Sequence, residues 1–213
     1  MTGHPAQFIT LMAVFGLMAV VPGPDFAMVV RQSVTRGRRA GLFTAFGIGT
    51  AILFHAAYTI AGLGWVVAHS LPAFTALKVA GAAYLVFIGL KTWRSAPPDT
   101  RALETSAPSA RGDGGSLALG FLTNALNPKA VLFFLAIFST QVAPDTAIWE
   151  QGVYGLAMAG LLVAWFCLVA VFFTGRGVQG ALLACGAWFN RITGGMLVAL
   201  GLRLALQQWR AAA

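Results

Sequence analysis

The chain has 213 residues, of which 58% are hydrophobic and only 9% charged, and its mean hydropathy is +0.78. A soluble domain carries about 25% charge, so these figures exclude a water-soluble fold, and they exclude disorder, which requires low hydrophobicity. The formal charge of +8 suggests nucleic acid at first, but the basic residues sit at the ends of apolar runs, where they orient helices in a bilayer. The expectation is an all-α polytopic membrane protein in contact with lipid and with no nucleic acid.

A spanning helix takes about 20 apolar residues, and six runs of that order follow one another. The first covers roughly 6–30 and is broken by Pro22-Gly23-Pro24-Asp25. It lacks a basic leading region and an A-x-A cleavage site, so it reads as a retained helix rather than a signal peptide. The second covers roughly 40–68 and the third roughly 73–93. Ser95–Ser116 is then rich in Pro, Ala, Ser and Gly and reads as a hydrophilic linker. The fourth run covers roughly 117–141, the fifth 149–174 and the sixth 187–207. The organisation expected is a single transmembrane domain: a three-helix unit over 1–94, a cytoplasmic linker over 95–116, and a second three-helix unit over 117–213.

Ten of the fourteen Lys and Arg fall after the first, third and fifth runs, from Arg31, Arg36, Arg38 and Arg39 through Lys91 and Arg94 to Arg176 and Arg191. The positive-inside rule therefore places both termini outside the cytoplasm. Trp65, Trp93, Trp149 and Trp209 fall near run ends, as an interfacial aromatic belt requires.

An internal echo runs through the chain. Gly16 to Pro24 (GLMAVVPGP) and Gly120 to Pro128 (GFLTNALNP) both place Gly eight residues before Pro, at an offset of 104. Leu85 to Lys91 (LVFIGLK) and Leu197 to Arg203 (LVALGLR) match at an offset of 112. Three spans per copy is an odd number, so the second copy is expected to be inverted in the membrane. Inverted repeats are a transporter architecture, with sites near the midplane at broken helices in corresponding positions.

The two proline motifs are such positions. Proline lacks the N–H that a helix needs and disturbs the carbonyl four residues earlier. Pro22, Gly23 and Pro24 should interrupt one helix, and Asn127-Pro128 should kink or break the other. Asn124 and Asn127 are natural partners for freed backbone groups or for ligand. Asp25 and Lys129 follow the two prolines, and intramembrane charges mark a pathway or a pair. An amino acid carries an ammonium and a carboxylate: Asp25 suits the first and Lys129 the second. In the empty protein the two could pair, or Asp25 could take a proton, which offers a route to proton coupling. A purely structural ion pair is the competing reading. His55 and Tyr58, on adjacent turns of the second run, read as hydrogen-bonded packing residues or as a proton relay, and Gln141 as a loop residue or the lining of an outer mouth. Ala45, Gly47, Gly49 and Gly89 read as close helix packing. Two cysteines 18 residues apart offer neither a C-x-x-C nor a thiolate metal site. The three histidines are scattered, and no nucleophile–base set is found, so neither a metal, a cofactor nor an enzyme is expected.

At these residues the sequence resembles the LysE/RhtB family of amino-acid exporters. The resemblance is carried by VPGPD at 21–25, GRRAGL at 37–42, LKVAGAAYLVFIGLK at 77–91, GFLTNALNPKAVLFFLAIF at 120–138 and GGMLVALGLRL at 194–204. It implies six transmembrane helices in a bacterial inner membrane and efflux of amino acids or their relatives, driven by proton antiport and carried out by a homodimer. The family's Asp and Lys fall on Asp25 and Lys129, and its Asn-Pro on Asn127 and Pro128. The family's Pro-Gln-Phe-like segment reads Ser139-Thr140-Gln141-Val142 here, so only its Gln is kept. The function expected is a secondary exporter of a small neutral or basic amino acid or a close derivative. The alternative is an exporter of an inorganic ion or other small solute on the same architecture.

Overall fold

The computed structural model describes residues 5–21, 23–95, 112–172 and 176–212; Pro22 and residues 96–111 of the expected linker lie outside the described residues. All regular structure among the described residues is helical: α1 (Pro5–Val20), α2 (Pro24–Arg36), α3 (Arg38–His69), α4 (Leu71–Arg94), α5 (Gly112–Ala125), α6 (Pro128–Gln141), α7 (Ile148–Phe172) and α8 (Arg176–Ala212).

Three of these are long and apolar enough to cross a membrane alone: α3 over Arg38–Val66 (29 residues), α4 (24 residues) and α7 (25 residues). Two pairs pass the same test together, α1 with α2 across a 54° bend and α5 with α6 across a 60° bend. The bends fall where proline breaks the hydrogen-bond ladder. The protein is therefore a polytopic membrane protein whose described residues form helices and no strands.

The junctions follow local rules. Pro24 and Pro128 each occupy the first helical turn, where a missing N–H costs nothing. Gly37 joins α2 to α3 at φ 88°, a conformation open to glycine and strained for other residues. Ser70 alone joins α3 to α4. Its N–H bonds Val66 O, closing α3, while its Oγ accepts from Ala73 N, opening α4.

Two helices start earlier than expected. The linker was expected to run to Ser116, yet α5 begins at Gly112. Its Gly-rich first turn is a poor helix former, but Arg39 of α3 grips Asp113 through Nε and Nη2, the shortest contact being 2.6 Å. Likewise α8 begins at Arg176 rather than near 187.

The long helices pack as antiparallel or bent pairs. α4 lies along α8, and α3 is wedged between α5 and α7, with α2 against its first half. Small residues let these backbones meet. At the α3–α5 crossing, Gly47 faces the Leu117 carbonyl and Gly120 faces the Thr44 carbonyl so closely that neither has room for a Cβ. At the α4–α8 crossing, a Cβ on Gly89 would lie 2.8 Å from Gly194 O and from Val198 N. A Cβ on Gly201 would lie 2.8 Å from Ala82 O and 2.9 Å from Val86 N.

Phe15, Ile48, Ile52, Leu85, Phe134, Met158 and Leu197 are buried in one apolar core. Phe46, Phe87, Leu156, Ile192 and Leu206 instead project outward, as a lipid-facing surface demands. Trp65, Trp93, Trp149 and Trp209 are all exposed at or near helix ends, in keeping with an aromatic belt.

Candidate functional site

The two bends come together. Asp25 stands on the first turn of α2, Asn124 on the last turn of α5, Asn127 caps α6, and Lys129 stands on the first turn of α6. All four line one cavity together with Gly23, Pro24, Phe15, Met18, Phe133, Phe134, Leu162 and Phe166. Residues of α1, α2, α5, α6 and α7 thus supply a mostly apolar chamber with a small polar end, the usual make-up of a small-molecule site.

Asn124 holds the polar end in place. Its Nδ2 donates to Asp25 Oδ2 at 2.9 Å. A carboxylate only accepts, so this bond fixes which way the amide faces. Asp25 Oδ1 and Asn124 Oδ1 are both buried with no hydrogen-bond partner. Unpaired acceptors at the polar end of one cavity have the chemistry to accept from an N–H donor. Direct pairing of Asp25 with Lys129, one of the two options for the empty protein, is not seen: they are within electrostatic reach, but no ion pair joins them among the described residues. The amide of Asn124, from the opposite break, has taken one carboxylate oxygen and left Lys129 facing the cavity as a separate cationic wall.

The break at Pro128 is repaired locally. Pro128 has no N–H to offer the Asn124 carbonyl four residues earlier. That carbonyl accepts instead from Asn127 N at 3.0 Å and from His55 Nε2 at 3.2 Å. A carbonyl cannot donate, so Nε2 carries the hydrogen, and the Tyr58 hydroxyl, 2.8 Å away, donates to Nδ1 of the neutral ring. His55 is fully buried and stacked on Phe134 at 5.3 Å between ring centroids. The side chain of Asn127 accepts from Lys129 N at 3.0 Å and caps α6. His55 thus meets the site at the backbone carbonyl of Asn124, and Tyr58 is linked to it through His55.

Gln141 is not brought to this cavity. It ends α6, and its amide donates to Thr140 Oγ1 at 3.4 Å. The polar groups knitted together beyond α6 are Gln7, Thr146 and Gln151. Gln7 Nε2 donates to Thr146 Oγ1 at 3.2 Å, and Gln151 Nε2 donates to Thr146 O at 2.9 Å. Sequence reading also passed over a second cavity beside the first. Its wall takes in Tyr84, Lys91, Thr92 and Ser95 of the α4 end along with Gly23, Pro24, Asn127 and Lys129. The sequence signal was present, since Lys91 is one helical turn or two from the polar end of an apolar run, but it was read only as an orientation charge.

Comparison with known proteins agrees with this architecture. The chain is 28% identical over 206 residues to a threonine efflux protein of Escherichia coli strain K12, covering 94% of this chain and 98% of that protein. It is 27% identical over 209 residues to an uncharacterized membrane protein of Bacillus subtilis strain 168, covering 94% and 99%. Over 129 residues it is 31% identical to a homoserine/homoserine lactone efflux protein of Salmonella typhimurium, covering 61% of each. No solved structure matches the chain. The family model of the LysE type translocators matches residues 16–208, nearly the whole of the described fold and both helix breaks, and the chain belongs to that family of transporters, which are not enzymes.

Proposed function

We propose that this protein exports a small amino acid, or a close derivative, across the bacterial inner membrane. The observation that carries the reading is the cavity at the two breaks, where Asp25 and Asn124 present unpaired oxygens and Lys129 presents a cation. An α-ammonium would bridge Asp25 Oδ1 and Asn124 Oδ1, and Lys129 would receive the carboxylate. The apolar walls from Phe15, Met18 and Phe133 would take a short side chain. Efflux proteins for threonine and homoserine among the relatives support this substrate class. Proton antiport follows if Asp25 exchanges the ammonium for a proton.

We further read the chain as six spans in two inverted halves, with both termini outside. Supporting this, the α4–α8 crossing is its own image at an offset of 112: Gly89 maps onto Gly201, Ala82 onto Gly194 and Val86 onto Val198. Two antiparallel spanning helices exchanged by such a two-fold have its axis in the membrane plane, as inversion requires. Gly16 and Gly120, equivalent at an offset of 104, face α7 and α3 respectively, which are the second helices of the two halves.

The test is amino-acid uptake into inside-out vesicles bearing a proton gradient, with a panel of amino acids. Accumulation of one or a few, lost on collapsing the gradient, is expected. Asp25→Asn and Lys129→Met should each lower it at least a hundredfold while inserting normally. Wild-type transport by both variants would overturn the site assignment.

A further inference from the structure

The second cavity shares Gly23, Pro24, Asn127 and Lys129 with the first, so the two broken strands of backbone are the partition between them. From this partition it extends along α4 from Tyr84 to Ser95, about 16 Å at the helical rise. In the orientation proposed above, that end of α4 is cytoplasmic. Two cations flank this passage, Lys91 and Lys129, within electrostatic reach of one another. Neither has an ion-pair partner among the described residues. Two hydrogen bonds tie the backbone around them: Tyr84 Oη donates to Lys129 O at 3.3 Å, and Asn190 Nδ2 donates to Ser95 O at 3.1 Å. Like charges held near each other across a preformed gap are unfavourable without an anion between them, and they focus anions into a low-dielectric cleft.

We propose that this second cavity is a cytoplasmic loading vestibule in which Lys91 and Lys129 together capture the substrate's carboxylate before it passes the broken-helix partition. The proposal rests on the export reading and deepens it. Lys129 borders both chambers, so the carboxylate stays bound to one lysine while the ammonium moves on to Asp25 and Asn124. Lys91 acts at entry only. With two lysines against the single carboxylate of Asp25, the route favours zwitterionic and acidic amino acids and disfavours the basic ones, which narrows the substrate class read from the sequence.

The test uses the full chain in inside-out vesicles, with Cys167→Ala and Cys185→Ala to remove native thiols and Leu132→Cys to place one in the vestibule wall. Anionic sulfonate and cationic trimethylammonium thiol reagents of equal size are applied from the cytoplasmic face, and rates are normalised to a free thiol. The anionic reagent should react about fivefold faster or more, and Lys91→Met should remove most of that preference, as the loss of one nearby charge predicts. Equal rates in the parent would overturn the proposal, as would a preference that Lys91→Met leaves unchanged, the result expected if Lys91 serves a lipid headgroup. This readout needs no transport, so a vestibule that selects anions in a protein that moves no amino acid would sink the export reading and leave the anion passage standing. In transport, Lys91→Met should raise the half-saturating concentration about tenfold with the maximal rate kept. A fall in maximal rate instead would overturn the role of Lys91.

Discussion

At the break between α5 and α6, Asn127 caps the new helix with its own side chain, and the carbonyl freed by Pro128 is taken up by Asn127 N and by His55. At the break between α1 and α2 the corresponding positions, 104 residues earlier, are Gly23 for Asn127 and Val20 for Asn124. Gly23 has no side chain to cap with, and none does so. Among the described residues no side chain donates to Val20 O. One break thus has a side-chain cap and a side-chain donor to its freed carbonyl, whereas among the described residues the other has neither, and its side-chain tie is the bond from Asn124 to Asp25. Unequal support of this kind predicts unequal stiffness, with the α5–α6 bend the stiffer wall of the site and the α1–α2 bend, which carries Asp25, the one expected to yield first. Transporters work by such movement of one half against a fixed partner.

His55→Phe should show the largest effect on this contrast. It keeps the aromatic stack on Phe134 and removes one of the two donors to a buried carbonyl, a hydrogen bond worth about 0.5–1.5 kcal/mol, and it takes the acceptor from the Tyr58 hydroxyl. The expected outcome is a lower melting temperature of the purified protein in nanodiscs. An unchanged melting temperature would mean that Asn127 N alone satisfies the α5 end. Asn127→Ala comes next, because losing a side-chain cap costs about 1 kcal/mol. It should loosen the stiffer wall and weaken substrate affinity in equilibrium binding. If affinity holds while the melting temperature drops, the cap serves folding only. The smallest effect is a gain. Gly23 lies at φ −153°, an extended conformation any residue adopts, and a Cβ there meets only Val21 O at 3.8 Å. Gly23→Asn should therefore cap α2 and stabilise the protein by about a few tenths of a kcal/mol, while slowing turnover because the bend has been stiffened. Faster turnover would reverse the assignment of the two bends.

Much of this arrangement can be read from the sequence. Apolar length gives the helices that span a membrane, because the bilayer imposes it. The prolines give both bends, since a missing N–H acts locally. Asp25, Asn124, Asn127 and Lys129 are legible as a group, because charge and amide are costly inside an apolar run and so stand out. The starts of α5 and α8 are not legible. Gly112-Asp113-Gly114-Gly115 has the composition of a loop, and only its packing on α3 and the Arg39–Asp113 fork hold it helical. The partner choice of Asp25 is not legible either. Opposite charge suggested Lys129, whereas three-dimensional placement gave one of its oxygens to Asn124. The second cavity was hidden for the same reason: Lys91 and Lys129 are 38 residues apart in the chain, and only the docking of α4 on α6 brings them to one passage.

The α4–α8 crossing has a consequence for how such a chain comes to exist. A contact that maps onto itself when the halves are exchanged is available to two identical three-helix chains lying head to tail. In such a pair any substitution at the crossing would appear on both sides at once, so a harmful change would be felt twice and a compensating one made twice. A single chain carrying both halves is free of that constraint, and each side can change alone. Gly89 and Gly201 are alike, whereas Gly201 meets Ala82 where Gly89 meets Gly194, so the two sides of this crossing are similar without being identical.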